Sequence, residues 1–327
     1  MRKRIHKILV TGGAGFIGSE FVRQAVKKGY KVIIVDKLTY AGDLERLKSV
    51  SKNFIFYKAD ICDKAVLASV FRKEKPSIVV NFAAETHVDR SIKDAAPFMK
   101  TNVVGTQVLL DVSGEYEIKK LIHISTDEIY GEIKKGCFSE ESPLRPNSPY
   151  AASKAAGDML VKSYVRTYNS PAIIVRPCNC YGPWQYPEKL IPLAMLKVFK
   201  KQKIPVYADG RNVREWLYVE DCARGILEIL RRGKTGEAYN LGSGQERRNI
   251  DVVKKLLRLF GVSDDAIQFV KDRPGHDFRY KLNSNKTMRQ IRWRPRISFD
   301  EGMRLTARWG RLHTRWLLKK WQDMPPA

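Results

Sequence analysis

From residue 7 onward, the first half of the chain alternates short, almost wholly apolar runs with stretches in which apolar residues recur every three or four positions. The apolar runs fall at residues 7–11, 31–35, 54–58, 77–82, 121–125 and 172–176 and are rich in Val and Ile. Runs without polar alternation predict parallel strands covered on both faces. The stretches between them predict crossover helices, and the alternation therefore predicts a doubly wound α/β sheet. After residue 176 the pattern becomes irregular, with many Pro, Gly and Tyr residues, and one further run at 238–241 suggests a strand returning to the sheet. This reading gives a dinucleotide-binding part, 1–177 with a returning segment at about 214–244, and a smaller interleaved C-terminal α/β substrate part from the rest of 178–327.

The turn after the first predicted strand is Thr11-Gly12-Gly13-Ala14-Gly15-Phe16-Ile17-Gly18. Its glycines allow a tight turn, close approach to a pyrophosphate and tight packing of the following helix, whose N-terminus favours anions. Strand before, helix after and Asp36 at the end of the second strand complete the Rossmann pattern for a dinucleotide. An acidic group there bonds ribose hydroxyls and repels a 2′-phosphate, which favours NAD over NADP, against the pull of neighbouring Lys37.

Tyr150 and Lys154 stand at i and i+4, on one face of a predicted helix. A phenol is too weakly acidic to act as a base at neutral pH, and a nearby ammonium and a nicotinamide cation are expected to lower its pKa. Thr126, Asp127 and Glu128 follow the fifth strand, at the sheet edge where ligands bind in open α/β folds. Thr126 can bond a reacting hydroxyl. Two adjacent carboxyls push their pKa values apart, so one can serve as acid and the other as base.

Taken together, these motifs resemble the extended short-chain dehydrogenase/reductase family over nearly the full chain, and within it the nucleoside-diphosphate-glucose 4,6-dehydratases. The resemblance is carried by residues 11–18, Ser-Thr-Asp-Glu-Ile-Tyr-Gly (125–131) and Ser-Pro-Tyr-Ala-Ala-Ser-Lys (148–154). It extends through Tyr-Gly-Pro (181–183), 186–192, Arg-Glu-Trp-Leu-Tyr-Val-Glu-Asp (214–221) and Asp-Arg-Pro-Gly-His-Asp (272–277). Thr-Asp-Glu is the specific element, because epimerases and decarboxylases of this fold differ at those acids.

The resemblance implies oxidation at C4 with Tyr150 as base, loss of water across C5 and C6 through Glu128 and Asp127, and return of the hydride to C6. It implies that Gly12, Gly15, Phe16, Ile17, Gly18, Asp36, Lys37, Asp60, Ile61, Ala83 and Asn102 hold NAD, together with Tyr150 and Lys154. It implies that Thr86, His87, Asn179, Lys189, Leu190, Pro192, Tyr207, Arg214, Asn249, Arg273 and His276 surround a nucleoside-diphosphate sugar. A homodimer through the helix carrying Tyr150 and the one before it, near 95–116, is also implied, with Met159, Leu160 and Val161 as compatible apolar residues. The chain departs from the family pattern at Asp43, Cys178, Cys180, Ala208 and Cys222, and in a basic C-terminal extension.

Charge and cysteines refine this picture. A formal net charge of +25 raises the possibility of a nucleic-acid partner. The basic residues spread along the chain without a recognition motif, so no nucleic-acid partner is expected. Only Arg304, Arg308, Arg311, Arg315, Lys319 and Lys320 are locally dense, close to one helical face. Five scattered cysteines fit reduced thiols, and Cys178-x-Cys180 lacks the second pair a metal site needs. Residues 1–7 lack the apolar stretch of a signal peptide and no run is long enough to span a bilayer, so a cytoplasmic enzyme without membrane contact is expected. The competing readings are a UDP-glucuronate decarboxylase or nucleotide-sugar 4-epimerase on the same scaffold, and a regulatory or nucleic-acid-binding protein.

Overall fold

A computed structural model describes residues 6–324; residues 1–5 of the basic N-terminus considered above lie outside the described residues. Seven strands form one parallel sheet: β1 (Lys7–Thr11), β2 (Lys31–Asp36), β3 (Phe54–Lys58), β4 (Ile78–Asn81), β5 (Lys120–Ile124), β6 (Ala172–Pro177) and, later in the chain, β10 (Ala238–Leu241). Their order is β10-β6-β5-β4-β1-β2-β3, with register pairs such as Leu9↔Ile33 and Ile122↔Ile173. Strands β4, β6 and β10 are buried at every position, which explains their continuous apolar character. Helices α1 (Phe16–Lys27), α2 (Lys64–Glu74), α3 (Gly105–Glu115) and α4 (Pro149–Tyr168) make the crossovers.

The later segments build a second core above the carboxyl ends of this sheet. Strands β7 (Asn179–Tyr181), β9 (Val213–Tyr218) and β11 (Glu246–Arg248) form a three-stranded sheet, and β8 (Ile204–Tyr207) pairs with β12 (Ile267–Val270). Helices α5 (Leu190–Phe199), α7 (Asn249–Phe260), α8 (Phe299–Leu312) and α9 (Thr314–Gln322) enclose a cluster that includes Met195, Trp216, Leu256 and Met303. Between them α6 (Val219–Arg232) packs on α1, and β10 follows it into the large sheet. The segment at 214–244 thus divides, with β9 in the small sheet and β10 in the large one.

The basic C-terminal run does not share one helical face. The helix breaks at His313, so Arg304, Arg308 and Arg311 lie on α8 while Arg315, Lys319 and Lys320 lie on α9. Lys320 is turned inward and pairs with Asp43 at 3.0 Å. No helix among the described residues is long and apolar enough to cross a membrane, and no group of three or more metal-ligating side chains occurs among them.

Candidate active site

One continuous cleft runs along the carboxyl ends of the strands. Its first section is lined by Gly12, Gly15, Asp36, Lys37, Asp60, Ile61 and Ala83. The middle section shares Gly12 and Gly15 and adds Phe16, Ile17, Gly18, Thr126, Asp127, Glu128, Tyr150 and Lys154. The far section is lined by Thr86, His87, Asn179, Lys189, Leu190, Tyr207, Arg214, Asn249, Arg273 and His276, and Glu128 belongs to both. Residues separated by more than two hundred positions thus meet in one groove.

The first section fits a dinucleotide on structural grounds. Gly12 has φ +65°, and a Cβ there would lie 2.6 Å from the backbone nitrogen of Ala83, so only glycine fits the turn. The Asp36 carboxylate accepts backbone N–H bonds from Ala14 (3.0 Å) and Leu38 (2.8 Å), which fixes it beside the glycine turn. Burial pushes its pKa up, with those N–H groups and Arg46 acting in the opposite direction. Lys37 leans away toward Asp60, 3.4 Å distant.

The middle section brings together Thr126, Asp127, Glu128, Tyr150 and Lys154. Ser148 caps α4 by accepting from the Ala151 N–H, with Pro149 in the first turn, and the inward face then buries Tyr150, Ser153 and Lys154. Beyond β5, Thr126 caps a single 3₁₀ turn, accepting from Glu128 N at 3.3 Å and donating to Asp127 Oδ1 at 3.3 Å. Gly131 closes this turn at φ +77°, where a Cβ would collide with the carbonyl oxygen of Arg145.

The two acids are set apart by their surroundings. Burial, reinforced by Glu128 and Glu215, pushes Asp127 well above the usual carboxylate range. Its Oδ2 is buried without a hydrogen-bond partner among the described residues. Burial also raises Glu128, but Arg273, Arg214 and Lys189 pull it back toward ionisation. The surroundings thus favour a proton on Asp127 over one on Glu128.

Lys154 and Tyr150 depart from expectation. The Lys154 ammonium donates to the Ile124 carbonyl at 2.6 Å, and burial lowers its pKa to about 8. The phenol of Tyr150 is not lowered by the protein alone: burial and the charges of Glu128 and Asp127 push it up, and its hydrogen bond with Thr126 acts against them. A buried site crowded with carboxyls disfavours another anion.

Two predicted cleft residues lie elsewhere. Asn102 is buried and spends its amide on the backbone of Glu85 and on Ser153 Oγ (2.9 Å), so it braces the cofactor loop against α4 while Thr101 lines the cleft. Pro192 is buried in α5; its neighbours Ile191 and Leu193 line the cleft, since successive helical residues point about 100° apart. Arg214 reaches the cleft but donates to the carbonyls of Asp277 (2.9 Å) and Val213 (2.8 Å) and lies 4.3 Å over the Tyr280 ring. Arg273 pairs with Asp89 at 3.3 Å, and Tyr207 donates to the same carboxylate at 2.9 Å.

Other cleft residues were missed by sequence reasoning. Glu188 sits between the far and middle sections with its carboxylate 3.8 Å from His87 and 3.7 Å from Lys189. Arg46, buried, ties Ala14, Ala41 and Trp184 carbonyls together beneath the cleft. Arg176 of β6 joins Asp158 of α4 (2.9 Å) to Tyr130 of the turn after β5 (2.6 Å), fixing α4 and that turn relative to each other. A lone arginine in an apolar strand run was the one available signal.

Residues 9–306 match the family model described as GDP-mannose 4,6 dehydratase. The chain belongs to that family. Within the family's range of activities, the dTDP-glucose 4,6-dehydratase of Streptomyces niveus is 45% identical over 318 residues, covering 95% of this chain and 94% of the relative. The crystal structure of DesIV, a dTDP-glucose 4,6-dehydratase from Streptomyces venezuelae solved with NAD bound, matches with a TM-score of 0.94 and 44% identity, covering 96% of this chain and 99% of that one. A UDP-glucose 4-epimerase from Thermotoga maritima matches with a TM-score of 0.89 and 31% identity, covering 94% of this chain and 99% of that one. The fold is therefore common to members that lose water and members that do not, and the decision between them falls on the cleft.

Proposed function

We propose that this chain is an NAD-dependent lyase that removes water from a nucleoside-diphosphate glucose, with dTDP-glucose as the favoured substrate, giving the 4-keto-6-deoxy sugar. The observation that supports this most directly is the pair of neighbouring carboxyls with unlike surroundings, buried Asp127 and half-buried Glu128, in the same section of the cleft as Tyr150. An epimerase needs the Tyr150 and Lys154 pair but has no use for a second acid–base pair at C5 and C6. The thymidine base is favoured by the resemblance to dTDP-glucose dehydratases.

In this reading residues 1–177 and the returning strand hold the cofactor, with Asp36 against the adenosine ribose, and the remaining segments hold the nucleotide sugar. Arg214 and Arg273 face the diphosphate, where planar guanidinium groups suit phosphate oxygens. Bound NAD would supply the acceptor for the C4 hydrogen, which it returns at C6, and a positive ring that favours the Tyr150 phenolate. Tyr150 takes the proton of the C4 hydroxyl, with Thr126 holding that hydroxyl in line. The C4 ketone acidifies the C5 hydrogen, which Glu128 removes as a proton and gives back to C5 once the hydride has reached C6. Asp127, kept protonated by burial and its acidic neighbours, gives its proton to the departing C6 hydroxyl. Lys154 donates its ammonium to the Ile124 carbonyl, tying β5 to the helix that carries Tyr150.

We further propose a homodimer through α3, the irregular turn before it and α4. Met99, Val104 and Met159 are exposed apolar residues there, whereas Val161 is buried in the protomer's own core.

Offering the purified protein dTDP-glucose, UDP-glucose, GDP-mannose and UDP-glucuronate with NAD tests the substrate assignment. Product masses should show loss of one water from dTDP-glucose with no lasting reduction of the cofactor. Loss of carbon dioxide from UDP-glucuronate in its place would identify a decarboxylase.

A further inference from the structure

The segment entering α8 reads Ile291-Arg292-Trp293-Arg294-Pro295-Arg296-Ile297, and exposure alternates along it. Ile291 and Trp293 are fully buried, while Arg292, Arg294 and Arg296 are exposed. The three arginines turn toward one shared depression. Arg224, from α6, joins them, and the four arginines with Met288 line a depression of about 370 Å³. None of its lining residues belongs to the catalytic cleft.

Asp221 makes this arrangement rigid. Its Oδ2 accepts the backbone N–H groups of Arg296 (2.7 Å) and Ile297 (2.8 Å), and its carbonyl accepts the indole N–H of Trp293 (3.1 Å). Its other carboxylate oxygen pairs with Arg224, which also donates to the carbonyl of Arg294 at 2.7 Å. The carboxylate that pairs with Arg224 is thus committed to the scaffold. Among the described residues, the guanidinium groups of Arg292, Arg294 and Arg296 have no ion pair. With Arg224 paired to Asp221, the guanidinium groups of Arg292, Arg294 and Arg296 remain without a counter-charge around the depression. Such repulsion is relieved by an anion carrying several charges of its own.

We propose that this depression binds an oligophosphate, a chain of three or more linked phosphoryl groups. Guanidinium forks bond phosphate oxygens bidentately, and a chain of linked phosphoryl groups offers oxygens to several forks at once. Single-stranded nucleic acid is disfavoured because its binding sites present aromatic faces for base stacking. The aromatic ring of this segment, Trp293, is instead fully buried with Arg224 lying 5.9 Å over it. The shared chemistry belongs equally to free inorganic polyphosphate and to the tail of a nucleoside triphosphate.

Titration calorimetry with sodium tripolyphosphate tests this, using the full chain with NAD bound and the cleft saturated with dTDP. The wild-type protein should bind one equivalent. The combined variant Arg292→Gln, Arg294→Gln and Arg296→Gln should bind roughly tenfold more weakly or worse, with its circular dichroism unchanged because all three side chains are exposed. ATP binding as tightly as tripolyphosphate assigns the site to a nucleotide tail, and weaker ATP binding assigns it to the free chain. Unchanged affinity in the variant overturns the proposal. So does orthophosphate binding as tightly as tripolyphosphate, or oligouridylate displacing it with higher affinity.

Discussion

Asp127 and Glu128 are sequence neighbours on one turn, yet one faces acids and the other faces cations. That division makes two different predictions. Glu128→Gln removes the base for C5 and keeps the size, so addition of dTDP-glucose should reduce bound NAD and then stall, with dehydration slowed by about two to four orders of magnitude. Stopped-flow absorbance of the reduced cofactor measures this, and dehydration at the wild-type rate would remove Glu128 from its role. Asp127→Asn should slow dehydration as well but stabilise the fold. The Asp127 pKa is raised in the folded protein, so the native state binds the proton more tightly than the unfolded chain. The stability linked to that proton is full below the unfolded pKa of about 4 and is lost as pH rises toward the folded pKa. The Asn variant should therefore gain a few degrees in Tm over wild type at neutral pH, with the gain vanishing in acid; a constant difference across pH would contradict it. At this scale the sequence was legible where a residue type has one use, as with Gly12 and Asp36. It was not legible where a polar side chain serves the scaffold: nothing local separates the bracing amide of Asn102 from one that lines a cleft.

At the scale of elements, the strands and crossover helices were legible because parallel strands buried on both faces leave long apolar runs. The C-terminal part was not, because its short strands pair across distant segments, as β12 does with β8. The basic run at the end reads as one solvated face only if the helix is unbroken. In the structure α9 turns back onto the loop after β2, where Trp316 Nε1 donates to Asp43 Oδ2 at 2.8 Å beside the Lys320 pair. Ala41 and Gly42 of that loop line the cleft. Trp316→Phe keeps most of the packing and loses the N–H, so NAD should bind about three- to tenfold more weakly, with kcat retained at saturating NAD. Equal affinity in a titration would show that α9 does not hold the loop. The proposed pairing face is likewise a property of elements. Met159→Glu with Val104→Glu should convert the dimer to a monomer by light scattering, and a wild-type monomer at micromolar concentration would refute the pairing.

For the whole molecule, the account requires that one groove oxidise, dehydrate and reduce the same sugar without releasing it. The charge of +25 fits this groove only in part: Arg214, Arg273 and Lys189 face it, while most basic residues are elsewhere on the surface. Fold comparison alone leaves a choice, because a 4-epimerase shares the architecture at a TM-score of 0.89. The most direct test uses dTDP-glucose deuterated at C4. The account predicts a product lighter by one water with the deuterium in the C6 methyl group. Deuterium recovered at C4, in a product that has lost no water, would contradict it and assign the site to epimerisation.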